Sequence, residues 1–288
     1  MSRRADHPDR PHLRRRTALA IGIAALAGLS VGCGERQSTP APLLPAQGCS
    51  VTVDGFTTTT LTWEQAENVS IIVGESIRRG LPPRAATIAL VTAYQESDLR
   101  NLDYGDRDSV GLFQQRPSQG WGTVEEIMDP WYAAGKFYEA LVTIPDWQNG
   151  IINDVAQAVQ RSGYPQAYAQ HEPKGRAWAS ALTGHSPAAV TCVDRAGKPA
   201  NPGYLTEFIQ RVWSGGVSVD TSGTVLTMQG ADGPTNWAVA QLGLLRGQPA
   251  GLVAAQCGAL QWLHSNDQYA VWQAADPVIG GTILTLRG

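Results

Sequence analysis

Glu96 closes an apolar run, and Asp103, Asp106 and Asp108 follow it within a dozen residues in a loop carrying Gly105, before Gly111-Leu112-Phe113-Gln114. A carboxyl at the end of a buried helix is desolvated. Desolvation disfavours the charged form, so its pKa rises toward values that suit a general acid. Aspartates in a wet loop stay ionised, and two carboxyl groups in unlike surroundings are the ordinary equipment for cleaving a glycosidic bond. A plain helix end followed by a polar turn would use the same residue types, because Asp and Gly favour turns on their own.

The elements that must position Glu96 are legible as periodicity. Thr62 followed by Gln65 is a capping box, and Ala66, Val69, Val73 and Ile77 recur at helical spacing as far as Gly80, which predicts a first amphipathic helix. Pro83 suits the first turn of a second helix, and residues 85–94 are apolar except for Thr87 and Thr92, as in a helix buried on most faces that ends at Glu96. Ala89, Thr92 and Ala93 precede Glu96 by seven, four and three positions, so its side chain emerges over small residues that leave room for a ligand. Asp129-Pro130 caps a third helix with Ala134, Phe137 and Leu141 on one stripe. Val155, Ala158 and Val159 mark a fourth, interrupted at Tyr164-Pro165, and a further short helix is expected around 177–182.

At 288 residues and 43% hydrophobic content the chain is long enough to bury a proper core. Six arginines stand in the first sixteen residues, and residues 17–31 are an almost unbroken apolar run, the layout of an export signal over 1–33. Ser30-Val31-Gly32-Cys33 resembles a lipoprotein cleavage box in which Cys33 would carry the lipid, a membrane tether. The leader's six Arg and two Asp give it +4, so the chain's net charge of −3 becomes −7 without it, a poor balance for nucleic acid. No HExxH, paired CxxC or EF-hand spacing supports metal catalysis, and no cofactor is expected. A formal GxSxG match at 28–32 lies inside the export signal and precedes no strand-to-helix unit.

Residues 34–47 carry Pro40, Pro42 and Pro45 among small polar residues, the composition of a tether. The expectation for 48–195 is a mainly α domain with a polar loop or small hairpin after Glu96. A linker over 196–223 follows, with a short helix around 204–213. The rest, 224–288, reads as a small α+β module with strands at 224–228 and 282–286 and a helix at 236–245. Cys49 starts the helical domain and Cys192 lies just past its last helix, whereas Cys257 sits in the apolar run 252–263. Export permits oxidation, so a Cys49–Cys192 disulfide is predicted with Cys257 as a buried thiol; the alternative is three free thiols.

Glu96-Ser97 followed by Gly111-Leu112-Phe113-Gln114, fifteen residues from glutamate to glycine, is similar to the Glu-Ser and Gly-Leu-Met-Gln of the lytic transglycosylase and goose-type lysozyme superfamily. Ala134-Gly135-Lys136-Phe137-Tyr138-Glu139-Ala140-Leu141 looks like that family's helix in which a Gly is followed by Tyr and Leu. Residues 156–162 fall where the family carries Ala-Tyr-Asn-Ala-Gly, and the resemblance spans about 120 residues, 62–182.

The resemblance implies a lysozyme-like α fold with a peptidoglycan cleft and Glu96 as the catalytic acid. Gln114 would line the sugar groove, with Ser97 and Gly111 of the same motif beside the substrate. Gly105-Asp106-Arg107 resembles the Gly-Asp-Arg of goose-type lysozymes and maps a water-activating role onto Asp106. Two departures stand out: Gln115-Arg116-Pro117 occurs where goose-type enzymes place another aspartate, and Val159-Gln160 replaces the Tyr-Asn pair, keeping an amide in Gln160 without the tyrosine hydroxyl. Among the aromatic residues, Tyr104 and Trp121 lie in loops beside the acid and are the candidates for stacking on sugars. The expected activity is cleavage of the β-1,4 bond between N-acetylmuramic acid and N-acetylglucosamine, by hydrolysis or by a lytic route. The alternative is a wall-binding lipoprotein or scaffold that keeps the cleft without efficient catalysis.

Overall fold

The computed structural model describes residues 44–288 except 56; residues 1–33, expected to be an export signal ending at Cys33, and residues 34–43 of the expected tether lie outside the described residues. Helix α1, Trp63–Arg78, begins at the expected box: the Thr62 hydroxyl accepts from Gln65 N at 3.3 Å, and Gln65 Oε1 accepts from Thr62 N at 2.9 Å. Helix α2, Pro83–Ser97, is buried along nearly its whole length. It stops because Asp98 and Leu99 turn left-handed (φ 52° and 61°) while Leu99 N reaches back to Ala93 O at 3.1 Å, a Schellman-type end. The amide of Gln65 also donates to Asp98 O at 2.8 Å, so the start of α1 fixes the end of α2, where Glu96 sits.

Short α3, Val124–Ile127, precedes α4, Pro130–Leu141, which is capped by the Asp129 carboxylate on Trp131 N at 2.8 Å. Helices α5, Ile152–Gln160, and α6, Glu172–Leu182, complete the helical layer. Helix α6 lies against α2 at Gly175, where an added Cβ would stand 2.6 Å from Val91 Cγ2 and 3.1 Å from Thr87 O.

Strands β1, Gly48–Val51, β2, Thr59–Leu61, and β3, Val190–Val193, form an antiparallel sheet in the order β2-β1-β3. Cys49 and Cys192 are register partners in it and are joined by a disulfide across 143 residues of sequence, while Cys257 is a buried free thiol. After α7, Pro202–Trp213, come β4, Ser218–Ser222, β5, Val225–Gln229, α8, Gly233–Leu245, and one-turn α9, Gly247–Ala250. Strands β6, Leu252–Cys257, β7, Leu260–Leu263, β8, Gln273–Ala274, and β9, Thr282–Leu286, finish the chain. They build a second antiparallel sheet of six strands, ordered β4-β5-β9-β6-β7-β8.

The fold is therefore not mainly α. It is mixed α/β, 42% helix and 16% strand, with two antiparallel sheets. The strands that have no local signature are hidden for physical reasons. Strand β4 (SVDTS) is almost wholly exposed and carries no apolar alternation, so its segment reads as a connection. Strands β1 and β3 pair only across the whole helical layer. The apolar run 252–263 is two strands, β6 and β7, and the chain's last strand inserts between β5 and β6, a pairing no local pattern announces.

The buried apolar residues of both sheets and all the long helices join in one core. Gln241 of α8 is fully buried in it: its Oε1 accepts from Ala189 N at 2.9 Å and Val190 N at 3.0 Å, and its Nε2 donates to Ala181 O at 2.6 Å and Ser186 O at 3.1 Å. Arg246, after α8, packs on the rings of Tyr204 and Phe208, with its guanidinium 4.3 and 4.8 Å from their centroids and 3.3 Å from Glu67 of α1. No helix among the described residues is long and apolar enough to cross a membrane.

Candidate active site

Glu96 is the penultimate residue of α2 and its side chain is half-buried. The Tyr168 hydroxyl donates to its Oε1 at 2.6 Å. Gln160, the last residue of α5, donates its Nε2 to Phe113 O at 2.7 Å and lies near enough to the same carboxyl to lower its pKa. Burial pushes the Glu96 carboxyl above the ordinary glutamate value, and the hydrogen bonds from Tyr168 and Gln160 pull against that without cancelling it. Such a group keeps its proton to a higher pH than a surface glutamate and has donors ready to receive the charge when the proton leaves.

Tyr168 was invisible in the sequence, where the tyrosine hydroxyl looked lost with Val159-Gln160. It enters from another place: the loop between α5 and α6, just before a 3-10 turn at Ala169–His171. Its ring is fully buried, and burial raises the phenol's pKa, so the hydroxyl stays protonated and acts as a donor. Asn153 of α5 fixes this loop, donating Nδ2 to Pro165 O at 2.8 Å and accepting from Ala169 N at 3.1 Å. A tyrosine in Ala-Tyr-Ala has no local signature, and only the packing of α6 on α2 brings it to the acid.

The polar segment after Glu96 folds as a small hairpin in which Val110 and Gln115 exchange backbone hydrogen bonds, both 3.0 Å. Ser97 is buried, and its hydroxyl donates to Leu112 O at 2.7 Å, so it straps the hairpin to α2 and is not presented to solvent. Gly111 needs to be glycine: its φ is 80°, and a Cβ would meet Ile127 O at 2.9 Å. Gln114 folds back over the loop, donating to Tyr104 O and Gly111 O, each at 3.3 Å.

The aspartates part company. Asp108 accepts from Ser118 N at 2.8 Å and Arg116 Nε at 2.7 Å, and the hydroxyl and amide of Ser118, with Arg116, hold its carboxyl well below the usual range. Asp106 is 91% exposed, its nearest ionic partner Arg107 at 3.7 Å. Tyr104 stands exposed, whereas Trp121 is half-buried with its carbonyl accepting from Tyr132 OH at 3.2 Å.

Hydrogen bonds thus join Tyr168 to Glu96, Gln160 to Phe113 and Gln114 to Tyr104, while Asp106 makes no hydrogen bond to any of these side chains among the described residues. No cluster of three or more His, Cys, Asp or Glu side chains suited to a metal ion occurs among the described residues. A cavity of about 240 Å³ lies elsewhere, in the C-terminal part beside Asn236, Trp237 and Cys257. No protein-family model matches the chain, and no curated protein sequence matches it significantly.

Proposed function

We propose that the protein is an exported enzyme that cleaves the β-1,4 bond between N-acetylmuramic acid and N-acetylglucosamine in peptidoglycan, with Glu96 as general acid. The observation that carries this reading is a half-buried carboxyl with a raised pKa, held at 2.6 Å by a buried tyrosine hydroxyl at the mouth of a polar hairpin. The residue order Glu96-Ser97 then Gly111-Leu112-Phe113-Gln114 resembles that of the lytic transglycosylase and goose-type lysozyme superfamily, and that resemblance suggests the substrate class. The leader over 1–33 and the Cys49–Cys192 disulfide fit an oxidising, extracytoplasmic setting, with Cys33 as the tether.

Protonated Glu96 gives its proton to the leaving glycosidic oxygen as the C1–O bond breaks. The resulting carboxylate is stabilised by the Tyr168 hydroxyl. It then takes the proton of the muramic 6-hydroxyl as that oxygen closes on C1, which leaves a 1,6-anhydro end and returns Glu96 to its acid form. We favour this single-acid route over water activation by Asp106, because a carboxylate 91% exposed on a loop is a poor holder of a directed water. Zymography on peptidoglycan tests the reading: clearing by the wild type that vanishes in Glu96→Gln supports it, and wall binding without clearing by the wild type supports a scaffold.

A further inference from the structure

Two large aromatic side chains stand in solvent on the loops around the site: Tyr104, 64% exposed, in the segment that follows Glu96, and Tyr164, 78% exposed, in the segment that leads to Tyr168. The Tyr104 carbonyl accepts from Gln114, and the neighbouring Phe113 carbonyl accepts from Gln160. In sequence Tyr164 lies between the end of α5 and Tyr168, whose hydroxyl donates to the Glu96 carboxyl.

Its backbone is fixed. Tyr164 N donates to Ser162 Oγ at 3.2 Å, and Ala167 N donates to Tyr164 O at 3.1 Å, closing a turn whose ends lie within about 7 Å of each other. Asn153 holds the following residues at Pro165 O and Ala169 N. The loop is therefore pinned without help from the Tyr164 ring, and the phenol hydroxyl has no protein partner among the described residues. An exposed ring on a fixed turn gives apolar contact area at low conformational cost, since only two side-chain torsions have to be frozen. The C–H face of a pyranose is the complementary surface for an aromatic face.

We infer that Tyr164 stacks on a hexosamine ring of the bound glycan, next to the sugar whose glycosidic oxygen Glu96 protonates; this rests on the glycan reading above. The ring does the binding and the hydroxyl does not.

Calorimetric titration with a GlcNAc-MurNAc tetrasaccharide, in a Glu96→Gln background to prevent turnover, decides it. Adding Tyr164→Ala is expected to weaken binding about tenfold, equivalent to roughly 1.4 kcal/mol, while Tyr164→Phe stays within about twofold of the parent. The thermal unfolding midpoint of all three is expected to agree, because the side chain is largely exposed. Equal affinity in Tyr164→Ala and the parent overturns the inference and leaves the catalytic reading intact. A loss in Tyr164→Phe as large as in Tyr164→Ala, or a fall in midpoint that accompanies the lost affinity, also overturns it. A parent that binds no tetrasaccharide overturns the glycan reading and this inference with it.

Discussion

At the scale of residues, the Glu96 carboxyl carries a stability penalty that follows from its burial. Its folded pKa lies above the unfolded value, so the folded state binds the proton more tightly. That advantage is present in acid and is lost as pH rises through the folded pKa; above it, the fold holds a poorly solvated charge. Glu96→Gln, which removes the charge and keeps an acceptor for Tyr168, is expected to unfold at higher temperature than wild type near pH 7. The difference should shrink toward pH 4, and thermal scans of both proteins across that range check the sign. Tyr168→Phe tests the partner: loss of a hydrogen bond to a charged group of about 1.5 kcal/mol corresponds to about a tenfold fall in kcat. The Tyr168 bond lowers the Glu96 pKa, so its removal raises that pKa further, and the basic limb of the pH–rate profile should move to higher pH. An unmoved limb would make Tyr168 a packing residue.

At the scale of elements, helix ends and starts were legible because their signals are local: the Thr62/Gln65 box, Asp129-Pro130 and Pro83 all act within one turn. What placed Glu96 beside Tyr168 was not local. It depends on α6 lying close on α2, and Gly175 makes that approach, though nothing in Pro-Lys-Gly-Arg marks it as a contact. Gly175→Ala forces a Cβ to 2.6 Å from Val91 Cγ2 and is expected to cost about 1–3 kcal/mol in denaturant unfolding. The sheets were the larger omission. Their pairings join residues far apart in sequence, and β4 and β8 are too polar or too short to show a strand period. Ser97 was recognised by motif, but its task as a strap on Leu112 O came only from the geometry.

At the scale of the whole molecule, the disulfide ties β1 to β3 at the two ends of the helical layer, and Gln241 and Arg246 fasten the six-stranded part to that layer. Closing a loop of 143 residues stabilises the fold by roughly 5 kcal/mol in the chain-entropy model. The Cys49→Ser/Cys192→Ser protein should lose about 2–5 kcal/mol. Non-reducing peptide maps of the native protein should show the Cys49–Cys192 pair alone, with Cys257 alkylated only after unfolding; a crosslink through Cys257 would contradict the structure.

The most direct test of the central claim is mass spectrometry of the fragments released from purified peptidoglycan by the wild type and by Glu96→Gln. The account predicts muropeptides with 1,6-anhydromuramic ends from the wild type and a fall of at least about a hundredfold in Glu96→Gln. No glycan fragments from a folded wild type, or equal release by the two proteins, would contradict it.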